Sequence, residues 1–391
     1  MIQPDSATLL DISTLTPAQT DAALEHIYKA ISDEPPGGDI WEPHHSPFLR
    51  DLIERFTRRG LMQIAGLQAE LDRWLKFEPH RPGARAPAER PDMMGRWSQA
   101  ELSIAKLYLE TLPPRRFALD DWMLVVDYLF QRYLPHDHLV AEADWLATRA
   151  TLMGRVQANM ANITERQAQR LLDADAVRQA RQLEATKVQR AVLDYGRARA
   201  AENIVQLTNN MRSAIRKALI GHQEAVSLGN KTDDLRGELL DQFGQWNRDW
   251  RRIAVTETAE MQNQGMVAGF PPGARLKRVE MYRGACSACR RVDGRIMKVV
   301  SPDTVPLDGE TMIWAGKTNI GRSASPRKRV GGVLIAREPD ELWWLASGVM
   351  HPHCRGTWLK LPDAKPSDDP QFAAYLDNLL KRSGNNKESR P

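Results

Sequence analysis

The sequence has no run of 18 apolar residues, and its N-terminus, MIQPDSATLLDIS, has no basic segment followed by an apolar one. A transmembrane helix needs about 20 consecutive apolar residues, and a secretory signal needs both of the missing N-terminal parts. We therefore expect no membrane contact and a protein that is kept in the cytoplasm, where thiols stay reduced. In that compartment, a bound metal explains a cysteine cluster more readily than a disulfide does.

Common catalytic signatures are also missing. The sequence contains no H-E-x-x-H, no G-x-x-x-x-G-K-[ST] and no G-x-S-x-G, so it gives no sign of a zinc protease, a P-loop nucleotidase or an α/β-hydrolase. Glu257, with Arg251 and Arg252 nearby, is the best candidate for acid–base chemistry. A solvated or intersubunit ion pair is the simpler interpretation of Glu257. We expect a protein that is not an enzyme.

Proline is absent between Pro135 and Pro271, although the chain contains 24 prolines. Because proline breaks helix interiors, this gap predicts long helices. One of them has an apolar stripe with a spacing of four residues, typical of an amphipathic helix: Leu207, Met211, Ile215 and Leu219. After a break at Gly229-Asn230 we predict two further helices, at 232–247 and 250–266. Upstream, shorter helices are predicted at 17–32, 47–76, 99–112 and 119–134.

After Pro271 the pattern changes to short β-prone runs, at 277–282, 295–300 and 332–335, with a turn at Asp293-Gly294. The sequence thus predicts a mainly α fold with a C-terminal α+β module stabilised by zinc. Four regions are predicted: a helical region at 1–135, a long-helix region at 136–270, a zinc-binding module at 271–360, and a linker with a short helix at 361–391.

The chain has only three cysteines, and all lie in two short clusters, Cys286-Ser-Ala-Cys289 and His351-Pro-His-Cys354. Together the clusters supply three thiolates and one imidazole, the four ligands of a closed tetrahedral zinc site. We predict one structural zinc ion, bound by Cys286, Cys289, His351 and Cys354. His353 is the competing imidazole ligand. A redox pair of cysteines and three inert thiols are the alternative interpretations.

Charge is unevenly distributed along the chain, although its net value is only +4. Residues 271–360 contain 16 Lys and Arg against 8 Asp and Glu, which indicates an acidic partner or nucleic acid near this segment. The stretch 321–330 is predicted to be an exposed basic loop. Its candidate contacts to phosphates or to an acidic partner are Arg322, Arg327, Lys328 and Arg329, and a solvated loop is the alternative.

Only 37 residues follow Cys354, and we expect no catalytic domain among them. Residues 362–370 are a polar linker, and a short helix with an apolar stripe follows it. A helix of about a dozen residues is marginal in water alone, so we expect it to dock in a groove of a partner subunit or of this chain's own helical body. The stripe consists of Phe372, Tyr375, Leu376, Leu379 and Leu380.

The order of these motifs resembles that of the phage Mu F-like head morphogenesis family, the minor head proteins of tailed phages and prophages. The resemblance covers about 203–358 and rests on the helix around Arg252-Ile-Ala-Val-Thr-Glu-Thr258, the first cysteine cluster followed by Asp293-Gly294, and the His-Pro-x-Cys-Arg run that ends at Arg355. Two features depart from the family. Gly356 stands where the family usually has a further cysteine, and the segment between the clusters is long.

The resemblance implies a virion component present in few copies, located at the portal vertex or capsid interior after assembly in the host cytoplasm. It implies a role in capsid assembly or in DNA packaging or ejection, without enzymatic turnover. The implied partners are the portal and other head proteins, with packaged DNA as a further contact and a ring around the portal as the oligomer. A zinc-containing DNA-binding protein and a phage-associated enzyme or effector are the alternative functions.

Overall fold

The structure, a computed structural model, describes residues 47–76, 90–91, 95–112, 117–159, 170, 187–228, 235–280, 285–352 and 354–361, with positions 371, 374 and 378. The described chain is mainly helical, and all of its strands follow residue 270. The long helices are α1 Pro47–Leu75, α2 Gln99–Thr111, α3 Leu119–Tyr133, α4 His136–Asn159, α5 Lys187–Ser227 and α6 Leu235–Ala268. The helices predicted at 47–76, 99–112 and 119–134 are confirmed, and the one at 17–32 lies outside the described residues.

Local chemistry sets the start of α2. The Ser98 hydroxyl accepts a hydrogen bond from the Glu101 N–H at 3.3 Å, and the Glu101 carboxylate accepts one from the Ser98 N–H at 2.6 Å. This reciprocal pair satisfies two of the backbone donors that a helix N-terminus leaves without partners. The Ser-x-x-Glu spacing in the sequence therefore fixes where this helix begins.

The prediction of two helices at 232–247 and 250–266 is wrong, because α6 runs through both as one helix. Trp246 and Trp250 are both buried and lie four residues apart, so a single apolar stripe crosses the predicted break. On the outer side, Arg252 pairs with Asp249 at 3.1 Å. No proline or glycine lies between the two predicted segments, so nothing in the backbone interrupts the helix.

The helices share one apolar core, which contains residues from α1 through α6. Helices α4 and α6 approach closely enough for their backbones to touch at two glycines. A Cβ atom at Gly154 would overlap the carbonyl oxygen of Gln262, and one at Gly265 would overlap that of Thr151. Glycine at both positions permits this crossing, which fixes the path of α6 toward the C-terminal strands. The boundaries of the four predicted regions, 1–135, 136–270, 271–360 and 361–391, remain predictions.

A four-stranded sheet follows α6, with strand order β3-β2-β1-β6. Its strands are β1 Arg275–Val279, β2 Ile296–Val299, β3 Met312–Ile313 and β6 Thr357–Lys360. Strand β1 is antiparallel to β2 and β6, while β2 and β3 are parallel. A second apolar cluster lies between the sheet and the end of α6, and includes Val267, Phe270, Leu276, Met297 and Trp358. Between β1 and β2 lies the short helix α7, Ser287–Val292.

The expectation of an exposed loop at 321–330 is wrong in part, because Arg327–Val330 forms strand β4 and pairs with β5, Val333–Ala336. Gly331 and Gly332 both have positive φ, 56° and 85°, and form the two-residue turn that such a hairpin needs. The strand predictions at 295–300 and 332–335 are confirmed within one or two residues. The predicted turn at Asp293-Gly294 is also confirmed, with Gly294 at φ 76°.

Candidate metal centre

The first cysteine cluster lies at the start of α7. Cys286 is the N-cap residue of this helix, and its sulfur accepts a hydrogen bond from the Cys289 N–H at 3.5 Å. One helical turn therefore brings the two sulfurs to the same side, with Cys286 exposed and Cys289 buried. Partial burial raises the pKa of the Cys286 thiol, but hydrogen bonds from the backbone of Cys289 and Ala288 outweigh this effect and leave that pKa below its usual range.

The second cluster is a tight turn, closed by a hydrogen bond of 3.0 Å from the Cys354 N–H to the His351 carbonyl. Side chains of α6 hold this turn from both ends. Glu260 accepts the Val349 N–H at 2.7 Å, and Asn263 donates to the Gly356 carbonyl at 2.7 Å. The turn is therefore fixed to the helical body through polar contacts. His353, the competing ligand, lies outside the described residues.

The structure brings the two clusters together. His351 Nε2 lies 3.2 Å from Cys286 Sγ and 3.1 Å from Cys289 Sγ, and Cys289 Sγ lies 3.8 Å from Cys354 Sγ. Four-coordinate sites with metal–sulfur bonds of about 2.3 Å place neighbouring sulfurs about 3.8 Å apart. The close donor atoms form two overlapping groups, one of Cys286, Cys289 and His351 and one of Glu280, Cys289 and Cys354. The cluster of the four predicted ligands can therefore hold a metal ion, and Cys289 is its central member because both groups contain it.

The imidazole is oriented for coordination. His351 Nδ1 lies 2.7 Å from the Pro352 carbonyl oxygen, which can only accept, so Nδ1 must donate to it. The Nε2 lone pair is then free to face the sulfurs, the arrangement that metal-binding histidines commonly show. The Trp343 ring stacks against the imidazole at 5.9 Å between centroids and an interplanar angle of 15°, which restrains the ring further.

A buried ion pair lies directly behind Cys354 and was not predicted from the sequence. Arg278 and Glu280 are both fully buried, and Arg278 Nε donates to Glu280 Oε1 at 2.7 Å. A terminal nitrogen of Arg278 donates to the Gly348 carbonyl at 3.0 Å, and the other lies 3.8 Å from Cys354 Sγ. The guanidinium thus places positive charge beside a sulfur that must be a thiolate to bind a metal.

Glu280 is also a potential ligand. Its carboxylate lies 3.5 Å from Cys354 Sγ, and with Cys289 and Cys354 it forms the second group of close donor atoms. A Cβ atom at Gly356 would overlap this carboxylate, so glycine is required there while Glu280 keeps its position. The contact with Cys289, followed by burial, raises the pKa of the Cys354 thiol well above its usual range. Cation binding opposes this rise because a metal binds the thiolate.

The Arg278–Glu280 pair could have been predicted from the alternation of exposed and buried positions along β1. Leu276, Arg278 and Glu280 lie two residues apart, so an inward-facing Leu276 places both charges on the buried face. Two opposite charges at i and i+2 on an inward face can pair with each other. The pair was nevertheless missed, because charged residues in a strand are more common on its exposed face.

Glu257 is part of a second buried polar cluster. Arg199 Nε lies 3.1 Å from the Glu257 carboxylate, and Asn203 donates to it at 2.9 Å. Arg199 also lies 3.5 Å from Glu260, the residue that accepts the Val349 N–H. A continuous network thus runs from α5 through α6 to the turn that contains His351.

The interpretation of Glu257 as a solvated or intersubunit ion pair is therefore wrong. Its side chain is 2% exposed and pairs with Arg199 of the same chain. The continuous helix α6 turns Glu257 toward α5, whereas Arg252 points outward to Asp249.

The pH dependence of stability tests this cluster. Burial, opposed by Arg199, raises the pKa of Glu257 to about 7, whereas the unfolded chain has an ordinary carboxyl pKa. The folded state then binds this proton more tightly, so its contribution to stability is present below about pH 4.5 and is lost as the pH rises through about 7. We expect Glu257→Gln to remove a fall of up to about 3 kcal/mol in unfolding free energy between these pH values.

Urea denaturation at several pH values measures this difference, with Glu202→Gln, an exposed position on α5, as the matched control. An unchanged pH slope in Glu257→Gln would show that the carboxyl titrates normally.

The predicted basic contacts are only partly exposed. Arg322 donates to the Leu342 carbonyl at 2.9 Å, and its guanidinium lies 3.6 Å from the centre of the Trp344 ring. Lys328 pairs with Glu341. Arg327 and Arg329 are exposed on β4. The predicted docking stripe lies outside the described residues: Phe372, Tyr375, Leu376, Leu379 and Leu380.

Comparisons with family models, with curated proteins and with solved structures found no match for this chain. In the described part of the chain, no helix combines the length and apolar character needed to cross a bilayer.

Proposed function

We propose that this chain is a non-enzymatic structural protein, a minor head protein of a tailed phage or prophage, whose C-terminal module is closed by one structural zinc ion and docks at the portal vertex. The observation that carries the proposal is that two distant Cys/His clusters come together, one at the start of α7 and the other in a turn that α6 holds in place. The order of motifs described above supports the phage assignment. The chemistry of the site supports the structural role of the metal.

Zinc suits this donor set. Thiolate and imidazole ligands are soft to borderline and favour zinc over magnesium or calcium, which take oxygen ligands. A set of Cys286, Cys289, His351 and Cys354 fills all four tetrahedral positions, which leaves no place for a reacting water or substrate. Zinc bound here would supply a cross-link between α7 and the turn at 351–354. The cross-link would stabilise the module, whose apolar cluster is small, because it would join two segments that are about 60 residues apart in the sequence.

Helix α6 fixes the orientation of the C-terminal module relative to the helical core. Its 34 residues correspond to about 51 Å of helix, and its last turns are buried between the helical core and the sheet. Polar side chains in these turns reach three loops of the module: Glu260 accepts from Val349, Asn263 donates to Gly356, and Gln264 accepts the Gly316 N–H at 2.8 Å. Directional hydrogen bonds of this kind specify one orientation of the module on the helix. A docking element at a portal ring needs such a defined orientation.

Co-expression with the portal protein encoded in the same genome tests the proposal. We expect the two proteins to co-purify as a stable complex, and Cys289→Ser to abolish the complex because the module loses its cross-link. A failure to co-purify, together with DNA cleavage or nucleotide turnover by this chain alone, would replace the structural role with an enzymatic one.

A further inference from the structure

Within the described residues, the hairpin of β4 and β5 has a free edge along β5. The residues that flank its two-residue turn form a hydrogen-bonded pair, and the hydrogen bond of 2.9 Å from the Arg337 N–H to the Pro326 carbonyl continues the same alternation at its base. The backbone groups of Leu334 and Ala336 therefore point away from β4. In the described part of the chain, no other strand pairs with β5 and no hydrogen bond reaches these groups.

The side chains of β5 are apolar and exposed. Val333, Leu334 and Ile335 are 63%, 54% and 41% exposed. A two-stranded hairpin is marginal in water by itself, and exposed edge strands usually carry charges that prevent pairing with another chain. Three of the four residues of β4 are basic, whereas β5 has no charged residue. The hairpin is therefore protected along β4 and open to a further strand along β5.

The base of the hairpin is fixed to the loop that follows it. Lys328 on β4 forms an ion pair with Glu341 at 2.5 Å, and the Ser323 N–H donates to the Glu341 carbonyl at 2.8 Å. The Trp343 N–H donates to the Ser323 carbonyl at 3.0 Å. Because these contacts hold the hairpin in one orientation, the free edge loses little conformational freedom when it binds another strand.

Two arginines determine which kind of strand the free edge can bind. In the register of the hairpin, Arg327 lies opposite Ala336. Arg329 lies opposite Leu334, so both arginines are on the same face. Arg329 donates to the Gly332 carbonyl at 3.3 Å, but among the described residues neither guanidinium joins an ion pair. This face of the hairpin thus has positive charge without a counter-charge.

We infer that the free edge of β5 binds an extended segment of a partner protein as a third, antiparallel strand, and that this segment alternates acidic and apolar residues. Residues opposite Leu334 and Ala336 exchange backbone hydrogen bonds with them, and their side chains share the face of the two arginines. The added strand lies two strand spacings, about 9.6 Å, from β4. The long side chains of arginine and glutamate can meet over the small Ala336. The apolar residues of the segment cover Val333 and Ile335 on the other face.

A second copy of this chain fits the free edge less well. If two β5 strands paired as antiparallel neighbours, the arginines of both hairpins would lie on one face without a carboxylate, since neither strand of the hairpin has one. Nucleic acid would neutralise the arginines, but its phosphates have no N–H donors for the Leu334 and Ala336 carbonyls. A strand with carboxylates satisfies both the arginines and the backbone.

The test uses the full-length protein and a fluorescently labelled peptide of about eight residues that alternates glutamate and valine. The peptide is titrated to about 1 mM, and binding is followed by anisotropy. We expect saturable binding, which should weaken by at least about tenfold when lysine replaces each glutamate, because the arginines then face like charges.

Methylation of the peptide nitrogens tests the backbone pairing without a change in the protein. In the antiparallel arrangement the glutamate N–H groups face β5, and the valine N–H groups face away. N-methylation of the glutamates should therefore abolish binding, because it removes the donors to the Leu334 and Ala336 carbonyls. N-methylation of the valines should leave the affinity within about threefold.

Variants of the protein test the two arginines. Arg327→Gln with Arg329→Gln should weaken binding of the glutamate–valine peptide by at least about tenfold. Lys277→Gln with Lys298→Gln is the matched control, because it removes the same charge from exposed positions of the four-stranded sheet. The control should keep the affinity within about threefold of the unmodified protein.

Leu334→Glu separates a binding role from a structural one. It places a carboxylate opposite Arg329, so it should keep or raise the melting temperature while it repels the acidic peptide. Loss of binding without loss of stability is not expected of a residue that serves only the fold.

Six results would overturn the inference. Four concern the peptide: no saturable binding, equal binding of the lysine peptide, equal loss in both methylated peptides, and equal loss in the arginine and lysine double variants. Displacement of the peptide by duplex DNA at equal charge concentration would identify a nucleic acid as the ligand. A doubled mass in sedimentation that Leu334→Glu returns to the monomer value would identify a second copy. These experiments need neither the portal protein nor a measurement of metal, so the inference fails or stands separately from the proposed function.

Discussion

Cys289→Ser is expected to reduce bound metal from about one ion per chain to nearly none and to unfold the C-terminal module while the helical core stays folded. Cys289 is fully buried and belongs to both groups of close donor atoms. A serine hydroxyl cannot replace its thiolate, because it is harder, shorter and protonated at neutral pH. The remaining ligands would then be left without the central donor that joins them.

Elemental analysis of the purified protein measures the metal, and limited proteolysis locates the unfolded segment. Ser287→Ala, an exposed substitution in the same turn, is the matched control and should keep the full metal content. A full complement of metal in Cys289→Ser would contradict the assignment. His351→Ala distinguishes a metal site from a redox pair of cysteines. A Cys286–Cys289 pair would still be oxidised and reduced without the imidazole, whereas a bound metal would be lost.

Arg278→Met is expected to lower metal affinity by about 10- to 100-fold and to destabilise the module by about 3–5 kcal/mol. The substitution removes the guanidinium that pairs with Glu280 at 2.7 Å and lies 3.8 Å from Cys354 Sγ. Glu280 would then be a buried carboxylate without a counter-charge, beside a sulfur that must itself become negative. Both effects arise from the same loss of positive charge.

Competition with a chromophoric chelator measures the affinity, and thermal unfolding measures the stability. Lys277→Met, one residue earlier on β1 but exposed, controls for loss of a cation on this strand. Adding Glu280→Gln to Arg278→Met should recover part of the stability, because the unpaired charge is removed with its partner. Unchanged affinity and stability in Arg278→Met would mean that the pair is incidental to the site.

The metal ligands were predictable from the sequence because the spacing within each cluster determines that its two ligands can face the same point. Two residues between Cys286 and Cys289, and two between His351 and Cys354, are compatible with one helical turn and one tight turn. The structure shows both. The helices before residue 135 were predictable for a similar reason, since prolines and a Ser-x-x-Glu box mark where they stop and start.

The errors came from tertiary contacts that local patterns do not contain. Glu257 looks exposed in a polar helix, and only the packing of α5 on α6 reveals that Arg199 buries it. The Arg278–Glu280 pair was missed for the same reason, because the sequence of β1 alone does not show which face of the strand contacts Cys354. Strand β4 was missed for a local reason, because its basic composition suggested a loop, although the Gly331-Gly332 turn pairs it with the predicted strand at 332–335.

X-ray absorption at the zinc edge of the zinc-loaded, full-length protein tests the central claim most directly. Binding by Cys286, Cys289, Cys354 and His351 predicts three sulfur neighbours at about 2.3 Å and one nitrogen at about 2.0–2.1 Å. Two sulfurs with two oxygen or nitrogen neighbours would contradict the claim, because the Glu280 carboxylate or a second imidazole would then have taken the place of a cysteine.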